Sequence, residues 1–81
     1  MKLFVAGLPY DMDHTDLQEM FELYGTITSA KVAMDFNTKR SKGFGFVEFE
    51  KMSEAKEAME LLNGKRIKGK ELIVKEAEER R

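Results

Sequence analysis

The chain has 81 residues, one histidine, no cysteine and a formal net charge of −1. That length suits one small domain with a modest core, and the composition excludes disulfides and any cysteine-based zinc site, with His14 the only imidazole available to a metal. No apolar run is long enough for a membrane span and no signal-peptide pattern is present, so a reducing, cytoplasmic setting is expected, with no membrane partner.

Lys2 to Leu8 reads as a first strand ended by Pro9, with Leu3 and Val5 facing inward and Lys2, Phe4 and Ala6 outward. In the loop Tyr10-Asp11-Met12-Asp13, Asp13 is a good helix N-cap, and Asp16 follows in the first turn, where a negative charge is favoured. Leu17, Met20, Phe21 and Tyr24 then recur at i, i+3, i+4 and i+7, the apolar stripe of a helix that Gly25 stops. His14 on this helix reads as solvated, and Tyr10 as packing at the edge of the core. Residues 26–34 read as a second strand in which Ala30, Val32 and Met34 alternate with Lys31 and Ala33. Asp35 to Ser41 is turn chemistry, and Phe36 within it is expected to pack on its own turn.

The third strand, Lys42-Gly43-Phe44-Gly45-Phe46-Val47-Glu48-Phe49, has two unlike faces. Gly43, Gly45, Val47 and Phe49 make a core face; Lys42, Phe44, Phe46 and Glu48 place two large apolar rings between charges, a surface suited to a partner. Ser53 is expected to cap a second helix with the stripe Ala55, Ala58, Met59 and Leu62, closed by Asn63-Gly64. Lys65, Arg66 and Lys68 are either a solvated loop or a phosphate clamp. After Gly69, a fourth strand over residues 70–75 turns Leu72 and Val74 inward, and a charged tail is expected to fray. Met12, Met20, Met34, Met52 and Met59 read as gap-fillers.

The order is therefore βαββαβ. One apolar stripe per helix and one apolar face per strand are all buried if both helices cover one side of a four-stranded antiparallel sheet, a ferredoxin-like α+β fold. The other side then collects Phe4, Phe44 and Phe46, provided the first and third strands are neighbours. Charge is segregated to match. Asp11 to Glu22 holds five acidic residues and no lysine or arginine, whereas each strand gives one lysine to the open face: Lys2, Lys31, Lys42 and Lys75. Glu48 and Glu71 are expected on the same face, where they weaken its field.

Aromatic rings between lysines suit single-stranded nucleic acid, which offers base faces for stacking and phosphates for the cations; a duplex hides those faces. The octapeptide Lys42–Phe49 also fits the long ribonucleoprotein signature K/R-G-F/Y-G/A-F-V-x-F/Y. On it, and on Leu3-Phe4-Val5-Ala6-Gly7-Leu8, which looks like the shorter ribonucleoprotein hexapeptide, the chain resembles the RNA-recognition motif family over nearly its whole length, with a domain at 1–76 and a charged tail at 77–81. Its economy is similar to that of small single-module RNA-binding proteins of bacteria. The resemblance implies that Phe4 and Phe46 each stack one of two adjacent bases, Phe44 lies between their sugars and Lys42 contacts the intervening phosphate. It departs from the family pattern at Lys39, where Gly often follows the Thr of the turn. The expected partner is single-stranded RNA or single-stranded DNA, bound by a monomer with no cofactor and no metal. A protein partner recruited by the acidic first helix is the alternative. Catalysis of the acylphosphatase kind on this fold needs an arginine in the loop after the first strand, and Pro9 to Asp13 has none.

Overall fold

The structure, a computed structural model, describes residues 1–77. Strands β1 (Lys2–Ala6), β2 (Ile27–Met34) and β3 (Ser41–Phe49) are joined by helix α1 (His14–Glu22) and a loop, and helix α2 (Met52–Leu62) follows. A short hairpin, β4 (Arg66–Ile67) and β5 (Lys70–Glu71), precedes β6 (Ile73–Glu76). The main sheet has the order β2-β3-β1-β6 and is antiparallel throughout, the expected ferredoxin-like arrangement.

One face of every strand of the main sheet feeds a single core. Leu3, Val5, Val47, Phe49 and Val74 from the sheet meet Leu17 and Phe21 of α1 and Ala55, Ala58 and Leu62 of α2. The Phe21 and Phe49 rings pack edge to face, 6.3 Å between centroids. Burying each Leu or Phe side chain contributes roughly 1.5–3 kcal/mol, which commits both helices to this side and leaves the opposite face open.

The start of α1 follows the expected cap. Asp13 accepts from the Asp16 N–H at 2.9 Å, and Asp16 accepts in return from the Asp13 N–H at 3.1 Å, a reciprocal capping box. Other boundaries differ from expectation. Gly25 has no left-handed φ; its need for glycine is space, since a Cβ there would lie 2.6 Å from the Glu54 side chain. Ser53 is inside α2 rather than its cap, because the helix begins at Met52 after Lys51 and has no side-chain cap.

The second and fourth strands are less regular than their patterns imply. The register shift between Ile27 and Ser29 puts an extra residue in β2, that between Val32 and Met34 puts the extra residues in β3, and Met34, at the end of the edge strand, is exposed rather than inward. The stretch 70–75 is divided. Lys68 and Gly69 both have positive φ and turn β4 back onto β5, and the Leu72 N–H donates to the Lys65 carbonyl at 2.7 Å. Glu71 therefore belongs to the hairpin and leaves the open sheet face. At the other end of β6, the Ala77 N–H donates to the Lys2 carbonyl at 2.9 Å, so the ordered pairing runs one residue past the expected domain end. The rest of the expected tail, residues 78–81, lies outside the described residues.

Candidate nucleic-acid interface

Strand register sets the open face. Across β1 and β3, Lys2 pairs with Glu48, Phe4 with Phe46 and Ala6 with Phe44. From β6, Lys75 lies opposite Phe4 and Ile73 opposite Ala6; from β2, Lys31 lies opposite Phe46 and Ser29 opposite Glu48. The expected site residues Phe4, Phe44, Phe46, Lys2, Lys31 and Lys75 are thereby brought into one surface. Lys42 shares their parity and is exposed at the start of β3.

The three rings form a cluster. Phe4 lies 5.8 Å from Phe44 and 5.6 Å from Phe46, and Phe44 meets Phe46 at 6.4 Å with a 90° angle between planes. Mutual packing leaves each ring half-buried, whereas the sequence suggested rings facing water. Two of the lysines lie over them: Lys2 Nζ is 5.1 Å from the Phe46 centroid and Lys75 Nζ 5.9 Å from that of Phe4. Ile73, 47% exposed beside Ala6, extends the apolar strip. The sequence reading passed over it, although the alternation of Leu72, Ile73 and Val74 already placed it outward.

The loop between β2 and β3 is held by Asp35, whose side chain accepts from the N–H groups of Asn37 (2.8 Å) and Thr38 (3.1 Å). Those bonds, Thr38 first, hold the Asp35 carboxyl below its ordinary value. Lys39 completes the turn at φ 60°, a left-handed backbone that favours glycine. Phe36 at the tip is 97% exposed and does not pack on its turn.

Three neighbouring residues also differ from expectation. Tyr10 is exposed rather than at the core edge, with Lys70 Nζ 3.5 Å from its ring centre. Lys68 forms an ion pair with Asp11 at 2.9 Å, which tethers the hairpin to the loop after β1 and lowers the Asp11 pKa. His14 is not merely solvated: its Nδ1 accepts from the Val32 N–H at 2.8 Å, closing part of the edge of β2. Met52 joins Met34 as an exposed side chain, whereas Met12, Met20 and Met59 pack against the core.

This surface can stack flat groups, attract phosphates and offer hydrogen bonds at its β2 side. The family model described as RNA recognition motif matches residues 3–73. The chain is 45% identical to the chloroplastic 28 kDa ribonucleoprotein of Spinacia oleracea over 76 residues, 94% of this chain and 33% of that protein. It is 39% identical to Small RNA binding protein 1 of Cucumis sativus over 79 residues, 98% of this chain and 49% of that one. The chain thus spans between a third and a half of these curated relatives. Among solved structures, RNA Binding Protein PG1 superposes with a TM-score of 0.92 at 44% identity, covering 100% of this chain and 98% of that one. A Sex-lethal protein/RNA complex superposes with a TM-score of 0.88 at 33% identity, covering 94% of this chain and 47% of that one.

Proposed function

The chain belongs to the RNA recognition motif family, and from that premise we propose that it binds a short single-stranded RNA, without catalysis, across the open face of its sheet. Two adjacent bases stack on Phe4 and Phe46, Phe44 packs between their sugars, and Lys42 meets the phosphate between them, with Lys2, Lys31 and Lys75 reaching others. The observation that carries this reading is the three-ring cluster on a sheet face left open and bordered by lysines. That one similar structure is a protein/RNA complex supports it. A monomer in a cytoplasmic setting is part of the same proposal.

Docking of a basic protein on the acidic helix is the weaker reading. Asp11 is paired with Lys68, and Asp13 and Asp16 are used on each other's backbone, which commits three of the five acidic side chains in this stretch.

The test is titration of a short single-stranded RNA into the wild type, Phe4→Ala and Phe46→Ala. Each substitution is expected to weaken binding by roughly 1–3 kcal/mol, the worth of one stacked base. Because the rings touch, each also lowers stability by about 0.5–1.5 kcal/mol, so binding is measured well below the melting temperature. In the wild type, amide shifts should move in β1 and β3. Shifts confined to residues 17–24 would transfer the site to α1 and sink the proposal.

A further inference from the structure

Glu48 is a carboxylate on the face that has to accept a polyanion, and it forms no ion pair among the described residues. It lies opposite Lys2 on β1 and Ser29 on β2, yet among the described residues the one ion pair is Lys68 with Asp11. Its carbonyl accepts from Thr28 Oγ1 at 3.1 Å, and its carboxylate has no hydrogen-bond partner among the described residues. Glu48 and Phe46 share a face two residues apart, and together with Lys2, Ser29 and Lys31 they line a cleft of about 240 Å³. That is below the roughly 300–1,000 Å³ of clefts that take drug-sized ligands; it suits one planar group.

Phe46 forms one wall of this cleft and Glu48 another, so the edge of a base stacked on the ring is within reach of the carboxylate. An ionised carboxylate only accepts hydrogen bonds, through two oxygens side by side. Guanine is the base whose Watson–Crick edge presents two adjacent donors, N1–H and the N2 amino group. Adenine and cytosine set one amino donor beside a ring acceptor, and uracil sets one N–H between two carbonyls, so each points an acceptor at the second oxygen. Single-stranded RNA exposes these edges for reading, and a charge-assisted bidentate pair is the strongest readout available to such a side chain. The Ser29 hydroxyl lines the same cleft and can donate to an acceptor of that base.

We infer that Glu48 selects guanine at the nucleotide stacked on Phe46, an inference that rests on the RNA-binding function proposed above. The electrostatic cost of a carboxylate on this face is offset only when that base is present, so Glu48 trades general affinity for selectivity.

Fluorescence anisotropy with labelled heptauridine carrying U, A, C, G or inosine at its central position tests this on the wild type and Glu48→Gln. The wild type should prefer the guanosine oligomer about tenfold over U, A and C, within the range that one bidentate pair supplies. Inosine keeps N1–H and lacks the amino group, so it should lose about threefold of that preference. In Glu48→Gln the preference should fall below about twofold, while affinity for plain heptauridine holds or rises because a like charge is gone. Equal wild-type binding of all four bases, a preference for another base, or a guanosine preference that survives Glu48→Gln overturns the assignment while leaving RNA binding in place. Binding of none of the oligomers overturns both.

Discussion

The Lys2 ammonium lies 5.1 Å from the centre of the Phe46 ring, in the space that a stacked base requires, and Lys75 holds the same relation to Phe4 at 5.9 Å. Each contact is worth about 0.5–1 kcal/mol at an exposed site. An arriving base has to displace both ammonium groups, which then become available to its phosphates. Part of what Lys2 and Lys75 contribute to binding is therefore offset by what they give up.

Lys42 is exposed and its ammonium lies over none of the three rings in the described structure, so it gives up no ring contact on meeting a phosphate. Single strands give a log–log salt slope of about −0.7 per neutralised phosphate, and contacts to a few phosphates predict a slope of roughly −1 to −3. Lys42→Ala should reduce that slope by somewhat under one unit and weaken all sequences alike, with Lys2→Ala losing less affinity. Phe44→Ala should lose affinity and keep the slope. Binding of one short RNA at three or more salt concentrations checks all four proteins; a wild-type slope near zero rules out the phosphate contacts.

Lys39 holds a left-handed backbone at φ 60°, a conformation that costs a non-glycine residue about 1–2 kcal/mol. Glycine avoids the strain and gives back part of the gain as chain entropy. Lys39→Gly should therefore raise unfolding stability by about 0.5–1 kcal/mol, read as a higher urea midpoint at unchanged slope. A lower midpoint would mean that the lysine side chain itself holds the turn.

The His14 imidazole accepts from the Val32 N–H on the outer edge of β2. His14→Ala leaves that donor without its partner and should cost about 1 kcal/mol, with faster hydrogen exchange at the Val32 amide than elsewhere in β2. Unchanged exchange at Val32 would show that water replaces the imidazole at no cost.

Acid stability follows from three exposed carboxylates. Asp11 is lowered by its hydrogen bond to Lys68, Asp13 by the Asp16 N–H and Asp35 by the Thr38 N–H, all from an ordinary value of 3.8. A group with a depressed folded-state pKa stabilises the fold fully above its unfolded pKa and loses that contribution as pH falls through the folded one. Stability should therefore be flat from neutral pH down to about 5 as far as these groups are concerned, and decline below about 4. Urea midpoints between pH 7 and pH 2 measure this; Asp13→Asn should flatten the acid limb, and a limb as steep as the wild type's would exclude the capping box as a contributor.

Local chemistry alone determined much of this protein. Alternation of side chains in a strand is set within the strand, so Phe4, Phe44 and Phe46 could be placed outward, and Leu3, Val5, Val47 and Phe49 inward, before any strand was paired. The capping box of Asp13 and Asp16 was legible for the same reason, since both partners lie within one turn. What depends on contact between distant segments was not. The division of 70–75 into β5 and β6 rests on Leu72 bonding back to Lys65, and it removes Glu71 from the face that the alternation had given it. Met34 is exposed at the end of edge strand β2, and the edge of that strand finds His14 eighteen residues before Val32. Which lysine covers which ring, and that Glu48 stands beside Phe46 with no ion pair among the described residues, follow from cross-strand register and side-chain reach. Periodicity states which way a side chain points; only packing of the whole chain states what it meets there.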